Sequence, residues 1–153
     1  MNKNDKPVGI ITGGSRGVGA ATAKLLASKG WNVTITCTSS IEDANNIVKE
    51  CEELGAEALA ISADVGDNEA CINTAKETIA KWGRIDALVN NAGTTKFVFN
   101  HGDLDGLDAD DFLRIYKINV VGPFQMVRAC RESLLDSDNP SVVNISSIAG
   151  IKG

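Results

Sequence analysis

Short apolar runs alternate along this chain with segments whose apolar residues recur three or four positions apart. Val8-Gly9-Ile10-Ile11-Thr12 is a run of buried-strand type that ends in a glycine cluster. Val18, Ala21, Leu25 and Leu26 then recur at helical spacing until Lys29-Gly30, which reads as a helix stop. Asn32 to Cys37 is β-branched and predicts a second strand. Ala44, Ile47, Val48, Cys51 and Leu54 predict one face of a second helix. Ala58 to Ile61 predicts the third strand, and Ile72, Ala75, Ile79 and Trp82 mark the helical face that follows. Ala87 to Asn90 predicts the fourth strand. A loop from Asn91 to Leu107, a long helix from Ala109 to about Leu135 and a fifth strand from Ser141 to Ser146 complete the pattern.

The order is strand then helix, repeated, less a final helix. The strands lack in/out alternation, which predicts burial on both faces. Together these predict a doubly wound α/β fold, a parallel sheet with helices on both sides and right-handed crossovers. The 153 residues have the length of one domain, and no repeat, low-complexity tract or linker divides them.

The glycine cluster Thr12-Gly13-Gly14-Ser15-Arg16-Gly17-Val18-Gly19 falls where the first strand turns into the first helix. A helix N-terminus offers free N–H groups and a partial positive charge, so a dinucleotide's pyrophosphate would lie there. Glycine lets phosphates approach the backbone. Gly19 already lies inside the helix, where glycine costs about 0.5–1 kcal/mol relative to alanine, and a close approach by strand or ligand would account for it. No Gly-Lys-Ser/Thr follows, which excludes a Walker-type loop.

Three further segments stand in register with this one: Asp64-Val65 after the third strand, Asn90-Asn91-Ala92-Gly93 closing the fourth, and Asn144-Ile145-Ser146-Ser147 closing the fifth. With the glycine loop they resemble the short-chain dehydrogenase/reductase family, classical type, over essentially the whole chain. The nearest likeness is to its β-ketoacyl-carrier-protein reductase branch. The resemblance implies a Rossmann sheet, of which five of the family's seven strands are present. It implies cofactor contacts from Gly13, Ser15, Arg16, Gly17, Val18 and Gly19, with Asp64 and Val65 flanking adenine. Asn91, Ala92 and Gly93 would line the inner ribose.

The second strand ends Thr36-Cys37-Thr38-Ser39-Ser40. NAD-specific proteins place an acid here to accept from the ribose 2′-hydroxyl. Cys37 holds that place instead, and a missing carboxylate leaves room for a 2′-phosphate. The resemblance implies that Arg16, Thr38 and Ser39 bind that phosphate, with NADP(H) preferred over NAD(H). Arg16 otherwise reads as an exposed surface charge.

The family's chemistry is hydride transfer between a nicotinamide and a carbonyl or alcohol carbon, with a tyrosine passing the proton and a lysine lowering its pKa. By resemblance, Ser147 orients the substrate oxygen and Asn119 supports the proton relay. The plainer readings are that the serines end a strand and that Asn119 marks a kink ahead of Gly122-Pro123. No Tyr-x-x-x-Lys element occurs. The one tyrosine, Tyr116, has Val120 four places on. The expectation is therefore a Rossmann domain incomplete at its C-terminal end, inactive alone, from a longer enzyme that acts on a small carbonyl or alcohol, such as a 3-oxoacyl thioester. That enzyme would be a homodimer or homotetramer. The competing expectation is a non-catalytic dinucleotide-binding module or split subunit.

Composition narrows the partners. The net charge of −5 disfavours nucleic acid and anionic membranes. No apolar run approaches the roughly 18 residues of a membrane span, and the polar start Met1 to Lys6 lacks a signal-peptide apolar region. Cys37, Cys51, Cys71 and Cys130 form no CxxC pair and read as reduced thiols of a cytoplasmic protein. One histidine, His101, with scattered thiols gives no metal site.

Overall fold

A computed structural model describes residues 6–100 and 102–148. The polar residues 1–5 and His101 lie outside the described residues. Five strands form one sheet: β1 (Val8–Ile11), β2 (Asn32–Cys37), β3 (Ala58–Ser62), β4 (Ala87–Asn90) and β5 (Ser141–Asn144). All pairings are parallel and the order is β3-β2-β1-β4-β5. The helices are α1 (Gly17–Ser28), α2 (Ile41–Glu53), α3 (Asn68–Trp82), α4 (Ala109–Tyr116) and α5 (Gly122–Leu135). A π-helical turn, Lys117–Val121, joins α4 to α5, so the predicted long helix is present but carries a widened turn in its middle.

Adjacent strand residues face opposite layers. Ile11, Val33, Ile35 and Val89 pack with Ala20, Ala23 and Ala27 of α1 and Ala44, Ile47 and Cys51 of α2. Ile10 and Leu88 point the other way, against Cys71 and Ala75 of α3 and Met126, Cys130 and Leu134 of α5. The doubly wound arrangement is thus the one the sequence predicts. Burying a leucine- or isoleucine-sized side chain gains about 1.5–3 kcal/mol, and both layers are built of such residues.

Two predicted faces need correction. In α1 the apolar pattern picks out Val18, Ala21, Leu25 and Leu26, yet Val18 is 59% and Leu25 60% exposed. The buried side is Gly19, Ala20, Ala23 and Ala27, small residues that let the helix lie close to the sheet. In α3 the predicted Ala75 and Trp82 are buried, but Cys71, Thr74 and Thr78 join them on the buried face, while Ile79 is 38% exposed. Thr78 and Thr74 satisfy their hydroxyls on backbone carbonyls one turn back, at 2.8 Å each, so they pack as apolar groups. Burial on both faces holds for β1, β2 and β4, but every residue of β5 is exposed, whereas β3 at the other sheet edge is largely covered.

The far end of the sheet is pinned by Asp86, which precedes β4. Its carboxylate accepts from the Val8 N–H at 2.8 Å, from both arms of the Arg84 guanidinium and from the Ser137 hydroxyl.

Candidate active site

Strand order reverses between β1 and β4, and ligands of open α/β sheets bind at the carboxyl ends of strands at such a point. Thr12 and Asn91 build it. The Thr12 hydroxyl accepts from the backbone N–H of Asn91 and of Ala92, both at 3.0 Å. The Asn91 amide donates to the carbonyls of Thr12 at 2.9 Å and Gly13 at 3.0 Å. Asn91 thus spends its side chain fixing the glycine loop to β4. Thr12 was not among the sequence's site residues; its only signal was its place ahead of the first glycine.

The glycines serve this fit. Gly13 has φ +64°, and a Cβ there would stand 3.0 Å from the Ala92 Cα. At Gly19 a Cβ would stand 2.4 Å from the Gly13 carbonyl oxygen and 2.5 Å from the Asn91 amide nitrogen. Close approach of loop to helix therefore explains Gly19. Gly14, which the sequence left without a role, presses on Ile35: a Cβ would stand 2.6 Å from the Ile35 Cβ. Of the three glycines expected to admit phosphate, Gly17 is the one that faces open space.

A cleft of about 400 Å³ opens beside this loop. Gly13, Ser15 and Arg16 form one wall, and Thr36 to Ser40 at the end of β2 form the next. Ala63, Asp64 and Val65 follow β3, Asn91 to Thr94 follow β4, and Ile118 closes the cleft. Every expected cofactor residue is there except Gly17, Val18 and Gly19, which form the first turn of α1. Arg16 is exposed and makes no ion pair among the described residues. Asp64 is the acid in the wall, and its carboxylate accepts from the Gly66 N–H at 2.8 Å. Burial pushes the Cys37 thiol up, against a smaller opposing pull from the Ser40 N–H, so it stands neutral where an acid would be charged. The end of β2 therefore offers hydroxyls and no negative charge.

A second cavity, of about 1000 Å³, shares the wall from Asn91 to Thr94. Its other sides are Ile115, Asn119, Val120 and Pro123, and Asn144 to Ser147. Asn119 and Ser147 thus come from separate elements to one cavity, whereas Tyr116 is 60% exposed and lines neither. The Asn119 amide accepts from the Thr94 N–H and donates to the Thr94 carbonyl, each at 2.8 Å. Arg114 donates to the Thr94 hydroxyl at 2.8 Å. Thr94 is therefore held by three side-chain hydrogen bonds, and nothing in the sequence marked it. Asn119 sits in the π turn, a feature frequent at functional sites. In the same cavity wall the Asn90 side-chain amide donates to the Asn144 Oδ1 at 2.9 Å, and the Asn90 side-chain oxygen, Oδ1, is buried without a protein partner among the described residues.

A sequence profile of the short chain dehydrogenase family matches residues 7–153. The chain belongs to that family. A 3-oxoacyl-(acyl-carrier-protein) reductase from Synechocystis is 34% identical over 146 residues, covering 95% of this chain and 58% of that protein. A short chain dehydrogenase from Burkholderia cenocepacia, solved in complex with NADP, is 36% identical with a TM-score of 0.86 and covers 99% of this chain and 59% of that one. An NAD+-bound xylitol dehydrogenase is 32% identical with a TM-score of 0.86, covering 96% and 55%. This short-chain dehydrogenase chain spans a little over half the length of these relatives. Among its described residues no helix is long and apolar enough to cross a membrane.

Proposed function

We propose that this chain carries the cofactor-binding part of an NADP(H)-dependent oxidoreductase that interconverts a carbonyl and an alcohol. The observation that carries this reading is a pair of cavities sharing the Asn91 to Thr94 wall, one facing the glycine loop and the other facing Ser147.

The first cavity fits a phosphorylated dinucleotide. Gly13, Ser15 and the first turn of α1, Gly17, Val18 and Gly19, would hold the pyrophosphate against free backbone N–H groups. Arg16, Thr38 and Ser39 would take the 2′-phosphate, which the neutral Cys37 does not repel. Asp64 and Val65 would flank adenine, and Asn91, Ala92 and Gly93 the inner ribose. When bound, the nicotinamide supplies or accepts the hydride.

In the second cavity the Ser147 hydroxyl donates to the substrate oxygen and orients it. Asn119 acts as a positioning residue: by clamping Thr94 it fixes the wall between cofactor and substrate and supports the proton relay. The family's proton-passing Tyr-x-x-x-Lys element is absent from residues 1–153, so these residues by themselves bind cofactor and do not turn over. Similarity to a ketoacyl reductase supports a 3-oxoacyl thioester as one substrate. Exposed Leu113 and Tyr116 of α4 and Phe124 of α5 support a homodimer or homotetramer of the complete enzyme. Four free, buried cysteines support a reducing, cytoplasmic setting.

Fluorescence titration with NADPH and NADH tests the cofactor reading. NADPH binds more tightly, and Arg16→Ala removes most of the difference; tighter NADH binding overturns it. In the complete enzyme Ser147→Ala lowers turnover about 100-fold and leaves NADPH affinity in place. Unchanged turnover removes Ser147 from the mechanism.

A further inference from the structure

Phe97 lines the Ser147 cavity and also an adjoining pocket of about 410 Å³. We propose that this adjoining pocket receives the distal part of the substrate, and that this part is an uncharged aromatic or similarly bulky apolar group. The inference rests on the reading of the Ser147 cavity as the substrate site.

The pocket is built by the chain folding back on itself after β4. At Gly106 a Cβ would stand 2.7 Å from the Val98 Cγ1, so glycine lets the short 3-10 turn Leu104–Gly106 close over Val98. Phe99 meets Phe97 edge-on, with ring centroids 4.8 Å apart, and steadies it between the two cavities. The remaining apolar walls are Leu104, Leu107 and Phe112.

Its polar rim is spent on its own structure. Lys96 pairs with Asp111, and Asp103 accepts from the Asp105 N–H at 3.1 Å to cap the turn. Asp111 in turn completes a capping box with Asp108 at the start of α4. A charged ligand group would have to break one of these pairings, whereas an apolar group displaces only water. Phe97 is 71%, Leu104 88% and Phe112 63% exposed, so large apolar side chains stand uncovered around this pocket. Covering such surface gains about 25 cal/mol per Å². The volume lies within the range of about 300–1,000 Å³ usual for small-molecule sites. Phe97 is common to both cavities, so in this proposal the carbonyl sits at Ser147 and the apolar group lies past Phe97.

The test uses the full-length chain loaded with NADP+, so that a ketone binds without turnover. Dissociation constants for 2-acetylnaphthalene and 2-butanone are read by NMR titration, and NOEs locate the naphthyl ring. The naphthyl ketone binds at least about tenfold tighter, with NOEs from its ring to the Leu104 and Leu107 methyls. Leu107→Asp lowers that affinity ratio about tenfold, and Leu107→Met restores it, which separates pocket polarity from misfolding. Both ketones binding equally, or ring NOEs that avoid Leu104 and Leu107, overturns this proposal and leaves the substrate site standing. Neither ketone binding while NADP+ stays bound overturns the substrate-site reading and this proposal together.

Discussion

The side-chain amide of Asn119 closes on both backbone groups of Thr94, so a residue in the π turn between α4 and α5 fixes the loop that follows β4. The two bonds are of ordinary length and lie at the wall between the cavities. Asn119→Leu removes both at similar size. Each hydrogen bond is worth about 1 kcal/mol, so a loss of roughly 1–2 kcal/mol of stability is expected. The Thr94 amide also loses its protection. Hydrogen exchange at that amide, followed by NMR, checks this; unchanged protection would mean that the clamp does not hold in solution.

Gly19 and Gly17 make a matched pair. Gly19→Ala places a methyl against the Gly13 carbonyl and the Asn91 amide, both of which are themselves pinned. Backbone cannot yield as a side chain would, so a loss of about 1–3 kcal/mol accompanies a clear fall in NADPH affinity. Gly17→Ala meets no neighbour but sits at φ +55°, so it costs about 1–2 kcal/mol through backbone strain alone. Urea unfolding of both variants, with NADPH titration, separates them: only Gly19→Ala should lose loop geometry by amide chemical shifts.

Asp86 gives the fold an acid limit. Burial pushes its carboxyl up, but the donors Arg84, Ser137 and Val8 together outweigh that and hold it below the usual carboxylate range. The folded-state pKa is thus the lower one. Its contribution is present above the unfolded value of about 3.9 and is lost as pH falls through the folded value. Asp86→Ala leaves the Val8 N–H buried without its partner, and destabilises at neutral pH by roughly 3 kcal/mol. Thermal unfolding of wild type and variant between pH 3 and pH 7 should show the difference narrowing toward acid, those limits being set about the carboxylate range. A difference constant with pH would show that the charge plays no part.

The thiols should be silent in the native chain. All four cysteines are buried. Burial pushes Cys130 up to about 12, and burial with nearby Asp67 and Asp64 pushes Cys71 up to about 11. Burial likewise raises Cys37 and Cys51. Little thiolate exists near neutrality, and thiolate is the reactive form. Ellman's reagent is expected to react slowly with native protein and with all four thiols in denaturant. Fast reaction of Cys37, slowed by NADPH, would instead place an accessible thiol in the cleft.

The sequence by itself determined the order of elements, because strand and helix impose different periods on apolar residues and the breaks fall at glycine. It also determined the glycine loop and the ends of β3, β4 and β5 as the places to look, since turn chemistry and motif spacing are local. It misread which side of α1 is buried: Val18 and Leu25 carry the hydrophobicity, but alanines carry the contact. Hydrophobicity ranks side chains one at a time, whereas packing selects those small enough for close approach. Only the tertiary structure assigned Thr12, Gly14 and Thr94. Their partners, Asn91, Ile35 and Asn119, lie on other elements, 79, 21 and 25 residues away respectively by residue number. Hydrogen bonds and steric limits across such separations leave no periodic trace, so they became legible once the sheet had brought its carboxyl ends together.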